Sequence, residues 1–195
     1  MKKSKRDTDI IFVLDRSGSM GCVESETING YNDFLKKQNK NSGSVYVTTV
    51  LFDDNYELLY SRENISNVKK LTNKEYYARG CTALMDAVGK TIVEVEKKVP
   101  NNNRVVFVIM TDGLENASRE YNKNLVKKMI KKHKKWEFVF LGANIDSAAE
   151  GRSIGISKER TANFSQDENS IGSVFRCASM LCDNESIDIK SIIQN

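Results

Sequence analysis

The sequence predicts an α/β protein: a doubly wound, mostly parallel central sheet with helices on both faces. Three observations predict it. Residues 9–15 (DIIFVLD) and 104–111 (RVVFVIMT) are nearly continuous runs of β-branched, aromatic and other apolar residues, the pattern of strands buried on both faces. Segments with apolar residues at helical spacing separate such runs. The two kinds of segment alternate to the end of the chain, as right-handed crossovers between parallel strands require.

Taken in order, residues 9–15 form the first strand and a Gly/Ser turn follows. Residues 25–40 set Ile28, Tyr31, Phe34 and Leu35 at helical spacing, with Lys36, Lys37 and Lys40 near the C-terminal end, where the helix dipole favours cations. Residues 44–53 and 56–61 are two strands around the turn signal Asp54-Asn55, and make the antiparallel edge. Residues 83–99 align Leu84, Val88, Thr91, Ile92, Val95 and Val99 on one stripe, which Pro100 and three Asn close. After the strand 104–111, Asp112-Gly113 turns the chain into a basic helix over 118–134, with Tyr121, Leu125, Met129 and Ile130 on its apolar side. Residues 136–142 are the next strand, 146–154 a short helix, 161–164 a short last strand. Residues 168–182 form a final helix bearing Ile171, Val174, Phe175, Ala178 and Leu181.

Composition narrows the function classes. With 195 residues, 39% hydrophobic, 29% charged, one Pro and four Cys, the chain is neither collagen-like, nor a disulfide scaffold, nor disordered. One domain over residues 1–195 is expected, with residues 1–8 flexible, since a fold of this size buries roughly 70% of its unfolded surface. A net charge of +4 is too mild to imply a polyanionic partner. The basic start Met1-Lys2-Lys3-Ser4-Lys5-Arg6 runs into charge with no apolar core behind it, so no export signal is read. The apolar runs fall far short of the ~20 residues that cross a bilayer. Cys22, Cys81, Cys177 and Cys182 make no CxxC or Cys/His zinc spacing, which fits reduced thiols in a cytoplasm. Asn-x-Ser triplets at Asn64, Asn116, Asn163 and Asn184 carry no meaning without export.

In an open parallel sheet, ligands bind beyond the carboxyl ends of the strands, where strand order reverses. After the first strand stands Asp15-Arg16-Ser17-Gly18-Ser19-Met20, before the helix near Ala83 stands Arg79-Gly80-Cys81-Thr82, and after the strand 104–111 stands Asp112-Gly113. Asp15, Ser17, Ser19, Thr82 and Asp112 are all oxygen donors. Such a set selects a hard cation, Mg²⁺ or Mn²⁺, over zinc. Two carboxylates balance a divalent charge while three hydroxyls add none, so the ion stays electrophilic and can accept an Asp or Glu from a protein partner.

At these residues the sequence resembles the von Willebrand factor A (VWA) domain family and its metal-ion-dependent adhesion site (MIDAS), which pairs Asp-x-Ser-x-Ser with a later Thr and a later Asp. The segments FVLDRSGSM, GCTALMDAVGKTI, VIMTDGLENAS and WEFVFLGANID are similar to the small stand-alone bacterial members, and the resemblance covers nearly the whole chain. It implies a Rossmann-like VWA fold, direct metal contact by Ser17, Ser19 and Thr82, and action of Asp15 and Asp112 mainly through bound waters. Where a close relative often has Ser, this chain has Cys81, which puts an oxidisable thiol beside Thr82.

The expected function is therefore a non-enzymatic, metal-dependent protein-interaction module, with no membrane or small-molecule substrate. Glu24, Tyr77, Arg79 and Glu115 lie on the surrounding loops and are expected to select the partner. One alternative is a Mg²⁺-dependent phosphatase of the haloacid-dehalogenase kind with Asp15 as nucleophile, but Ser17 stands where that chemistry wants its general acid. A P-loop is excluded, because no GxxxxGK[ST] occurs. The other alternative is nucleic-acid binding by the Lys-rich stretch Lys127–Lys135. It reads better as a solvated helix face and exit, since Met129 and Ile130 interrupt it at core spacing. His133, the only His, reads as a surface helix residue, and Cys22 and Cys81 as ordinary small side chains beside the metal loops.

Overall fold

A computed structural model describes residues 7–40, 44–183 and 187–193; of residues 1–8, expected to be flexible, 1–6 lie outside them, as does Asn184, whereas Thr8 is buried in the first strand between Val45 and Arg104. Six strands form one sheet: β1 (Thr8–Asp15), β2 (Val45–Phe52), β3 (Tyr56–Asn64), β4 (Arg104–Thr111), β5 (Glu137–Gly142) and β6 (Thr161–Asn163). Their order is β3-β2-β1-β4-β5-β6, and every neighbouring pair is parallel except β2 with β3. The expected antiparallel edge is thus present. β3 runs to Asn64 with register shifts against β2 between Val47 and Val50.

Alternation along the strands divides the interior into two layers. From β1, Ile10, Phe12 and Leu14 enter one layer, and Ile11 and Val13 the other. The first is closed by α1 (Glu24–Gln38), α5 (Glu168–Asp183) and α6 (Ile189–Ile193). Phe12 meets Tyr31 and Phe34 edge-on there, with ring centroids 5.5 and 5.0 Å apart. The second layer is closed by α2 (Leu84–Lys98), α3 (Lys123–Lys132) and the segment through α4 (Ser147–Ser153) to Ile156. No helix among the described residues is long and apolar enough to cross a membrane.

Two departures from the sequence reading have local causes. The chain after β1 is a 3-10 helix, Gly18–Val23, rather than a simple turn, because Met20 and Val23 are buried in the first layer. The basic helix starts at Lys123, not 118. Residues 118–121 spend their backbone N–H groups on the carboxylates of Glu115 and Asp86, and Asn122 then caps α3 by accepting from Leu125 N. Its buried residues are accordingly Val126 and Ile130, while Leu125 is exposed and Tyr121 precedes the helix. The short helix α6 was not anticipated.

Candidate metal centre

Strand order reverses between β1 and β4, so the crevice lies beyond Asp15 and Thr111, the last residues of those strands. Backbone hydrogen bonds draw the three loops together there. Arg16 N donates to Phe52 O at 2.8 Å, Arg79 N to Arg16 O at 2.8 Å, and Ala83 N to Asp53 O at 2.9 Å. The residue inside the Asp-x-Ser-x-Ser stretch, Arg16, turns away from the crevice. Its buried guanidinium pairs with Asp53 at 3.0 Å and Glu57 at 2.8 Å, and donates to Glu75 O.

The predicted donors meet in a chain of short contacts. Asp15 is fully buried; one carboxylate oxygen accepts from Ser17 N at 2.6 Å and the other from Thr111 Oγ1. Ser17 Oγ lies 3.2 Å from Ser19 Oγ, and Ser19 Oγ donates to Asp112 Oδ1 at 2.6 Å across 93 residues of sequence. Thr82 hydrogen-bonds to none of these. A Cβ at Gly113 would stand 2.8 Å from Thr82 Oγ1, so that hydroxyl faces the residue following Asp112. Four of the five donors are joined directly, and the fifth borders them.

Electrostatics leave this cluster short of a cation. Burial pushes the Asp15 carboxyl up to about 6 against the hydrogen bonds of Thr111 and Ser17, and the charge of Asp112 adds to the rise. Burial raises Asp112 as well. Among the described residues neither carboxylate has an ion pair with Lys, Arg or His. No group of three or more His, Cys, Asp or Glu side chains gathers there as a metal cage either. Any ion held at this crevice would depend on hydroxyls, and the all-oxygen set Asp15, Ser17, Ser19, Thr82 and Asp112 fits a hard divalent cation.

Sequence reasoning missed several supports. Gln166, after β6, donates from Nε2 to Asp112 Oδ2 at 2.6 Å and to Ser19 O at 3.3 Å. Asn116 holds Thr82 from both sides: its Oδ1 accepts from Thr82 N at 2.9 Å and its N–H donates to Thr82 O at 3.1 Å. The buried Tyr76 donates its hydroxyl to Asp15 O. Of the four residues expected to select a partner, three are engaged within the chain. Glu24 accepts from Ala78 N at 2.6 Å, and Glu115 accepts from the N–H groups of Met85, Ala117 and Ser118. Arg79 pairs with the buried Asp53 carboxylate at 2.8 Å and donates to the Tyr77 hydroxyl at 2.6 Å, with its guanidinium 4.9 Å from the Tyr77 ring centroid; both side chains are still partly exposed on the rim. Cys22 and Cys81 are exposed, and Cys177 and Cys182 buried, all four as free thiols. His133 sits just past α3, stacked on Trp136 at 3.8 Å and 2.6 Å from Glu96 Oε1, so it is packed rather than freely solvated.

A comparison with curated proteins finds no match. Among solved structures, proximal thread matrix protein 1 from the mussel byssus, with a zinc-occupied MIDAS motif, is 18% identical. It superposes with a TM-score of 0.68 over 91% of this chain and 46% of its own, so this chain spans about half of that protein. The vWF domain of the type V pili tip protein Mfa5 from Porphyromonas gingivalis is 10% identical, with a TM-score of 0.67 over 91% of this chain and 95% of its own. A von Willebrand factor type A protein from Catenulispora acidiphila is 13% identical, with a TM-score of 0.62 over 91% of this chain and 42% of its own. These likenesses concern the fold. The family model of the von Willebrand factor type A domain matches residues 9–176, and the chain belongs to that family.

Proposed function

We propose that residues 1–195 form one VWA domain that works as a metal-dependent protein-interaction module. Asp15, Ser17, Ser19, Thr82 and Asp112 would hold Mg²⁺ or Mn²⁺ at the carboxyl edge of the sheet. The observation that carries this reading is the juncture of Ser17, Ser19 and Asp112, two loops brought within hydrogen-bond reach beside a buried Asp15 that has no cationic partner among the described residues. Both Asp15 oxygens already accept from protein donors, and both Asp112 oxygens accept from Ser19 and Gln166. That supports hydroxyls as the direct ligands and carboxylates as charge held one step behind. When bound, the cation supplies a Lewis-acidic position for one Asp or Glu oxygen of a protein partner.

The mussel protein's site carries zinc. Here the absence of thiolate or imidazole from the donor set favours a harder ion. Tyr77, exposed beside the loops, and the outer edge of the Asp53-paired Arg79 guanidinium would meet the partner. The phosphatase reading gains nothing from the geometry, since Arg16, the cation nearest the motif in sequence, is committed to Asp53 and Glu57. Four free thiols suit work in a reducing cytoplasm.

Thermal unfolding with Mg²⁺ or Mn²⁺ against EDTA tests the site. At a hundredfold excess over Kd the ion should add ~2.7 kcal/mol. The same ion should add nothing to Asp15→Ala or to Ser19→Ala. An equal shift in those variants, or none in the parent, removes the site.

A further inference from the structure

The opposite end of the sheet holds a cleft of about 1070 Å³. It opens where β4 and β5 begin, between the exit of α3, the Asn101–Asn103 turn and the segment Gly155–Arg160. Its floor is apolar: Ile130, Phe138 and Ile156 are almost wholly buried, and Trp136 is half-buried beside them. His133 stacks on the indole at an interplanar angle of 20°, and Phe138 lies 6.0 Å from it, so the tryptophan is held in place by packing.

The rim is cationic. Lys131, Lys134 and Lys135 line it, and among the described residues none of the three forms an ion pair. The one carboxylate lining the cleft, Glu137, is already engaged by Arg104 at 2.7 Å and by Arg160. Lys131 in the last turn of α3 can be ascribed to the helix dipole, but Lys134 and Lys135 lie past the helix end at Lys132, where that account stops. Across the cleft, Asn101 and Asn102 are exposed, and each side-chain amide offers both donors and an acceptor.

An apolar floor with an aromatic wall, amides on one side and unneutralised lysines on the other matches a ligand with a planar heterocycle at one end and phosphate at the other. We propose that this cleft binds a nucleotide, free or within a single strand, with its phosphates on Lys131, Lys134 and Lys135 and its base against Trp136. The cleft has room for one, being slightly larger than the ~300–1,000 Å³ usual for small-molecule sites. A flat anionic membrane could reach the lysines but not the floor. The site is remote from the metal loops and independent of the function proposed for them.

Trp136 is the sole tryptophan, so its fluorescence reports on this cleft alone. The 195-residue chain in EDTA is titrated with ATP, with inorganic tripolyphosphate, with an oligothymidylate of about ten nucleotides and with phosphatidylserine vesicles. A saturable change is expected with ATP or the oligonucleotide. A response to ATP identifies a free nucleotide, and one to the oligonucleotide alone identifies a strand, whose affinity should then fall with salt. Binding should weaken at least tenfold in K131A/K134A/K135A, which alters exposed side chains and should melt with the parent, and it should be unchanged in Asp112→Ala. Four outcomes overturn the proposal: no saturable change with either nucleotide, equal binding by the triple variant, tripolyphosphate binding as tightly as ATP, or a response to vesicles alone.

Discussion

Three successive backbone N–H groups, those of Arg119, Glu120 and Tyr121, donate to the Asp86 carboxylate at 2.7–2.9 Å, and this fixes the loop that follows Asp112, a proposed metal ligand. Burial alone would raise that carboxyl, but the three donors outweigh it and hold it below its ordinary value. Asp86→Ala strands three donors and should cost about 3 kcal/mol in urea unfolding; Asp86→Asn, which keeps one acceptor oxygen, should cost about half as much. Because the folded value is depressed, this stabilisation is present above the unfolded value of 3.8 and is lost as pH falls through the folded one. The gap between parent and Asp86→Asn should therefore hold from pH 7 to about 5 and close below about 4. An unchanging gap at low pH would mean that the carboxylate charge is not what the loop uses. At this scale the five proposed metal donors could be put forward from the sequence because Asp-x-Ser-x-Ser and Asp112 follow buried strands and Thr82 stands just ahead of a helix. Gln166 and Asn116 could not, since an amide that supports a neighbour by one hydrogen bond has no spacing rule.

Elements follow their apolar periodicity wherever nothing else claims the backbone. Helices α1, α2 and α5 came within two residues of their expected limits. Helix α3 did not, because Glu115 and Asp86 capture the amides of residues 118–121 before the helix can use them. No periodicity records a carboxylate that sits thirty residues away. The seam between α1 and α5 has a clearer mark in Gly30. A Cβ there would stand 2.3 Å from Phe175 Cδ2, and that ring is itself buried against Phe12 and Tyr31. Gly30→Ala gains up to about 1 kcal/mol of helix propensity, yet overpacking a rigid ring typically costs about 1–3 kcal/mol. The variant should be less stable by about 1 kcal/mol, and Gly30→Ala combined with Phe175→Leu should recover part of the loss. A more stable Gly30→Ala would show that the two helices can separate without cost. That result would also weaken the account of the glycine as a packing device.

At the scale of the whole molecule the two proposed sites lie at opposite ends of one sheet, and only one of them was proposed from the sequence. The fold class was visible because buried parallel strands appear as unbroken apolar runs. The loops proposed to hold a metal could be singled out because strand ends in such a sheet converge. The basic cleft could not, since it is assembled from three separate segments, and in the sequence its lysines look like a solvated helix face. Thiol accessibility tests whether the scaffold between the two ends opens as a unit. Cys22 and Cys81 are exposed on the loops of the proposed metal centre, while Cys177 and Cys182 lie on α5 inside the first layer, where burial pushes both thiols up to about 12. Thiolate is the reacting form, so the inner pair is protected both by access and by ionisation. With an aromatic disulfide reagent at pH 8, two thiols of the native chain should react at once, and the other two only as fast as the α1–α5 layer opens. All four should react at once in denaturant. Replacing Cys22 and Cys81 by Ser should remove the fast phase and leave the slow one unchanged. If the slow pair reacts at the rate of global unfolding, the layer behind the metal loops opens only with the whole sheet. If it reacts faster, α5 undocks by itself, and since α5 packs on the same sheet face as α1, which directly follows the Ser17–Val23 loop, that motion would reach the proposed metal centre from behind.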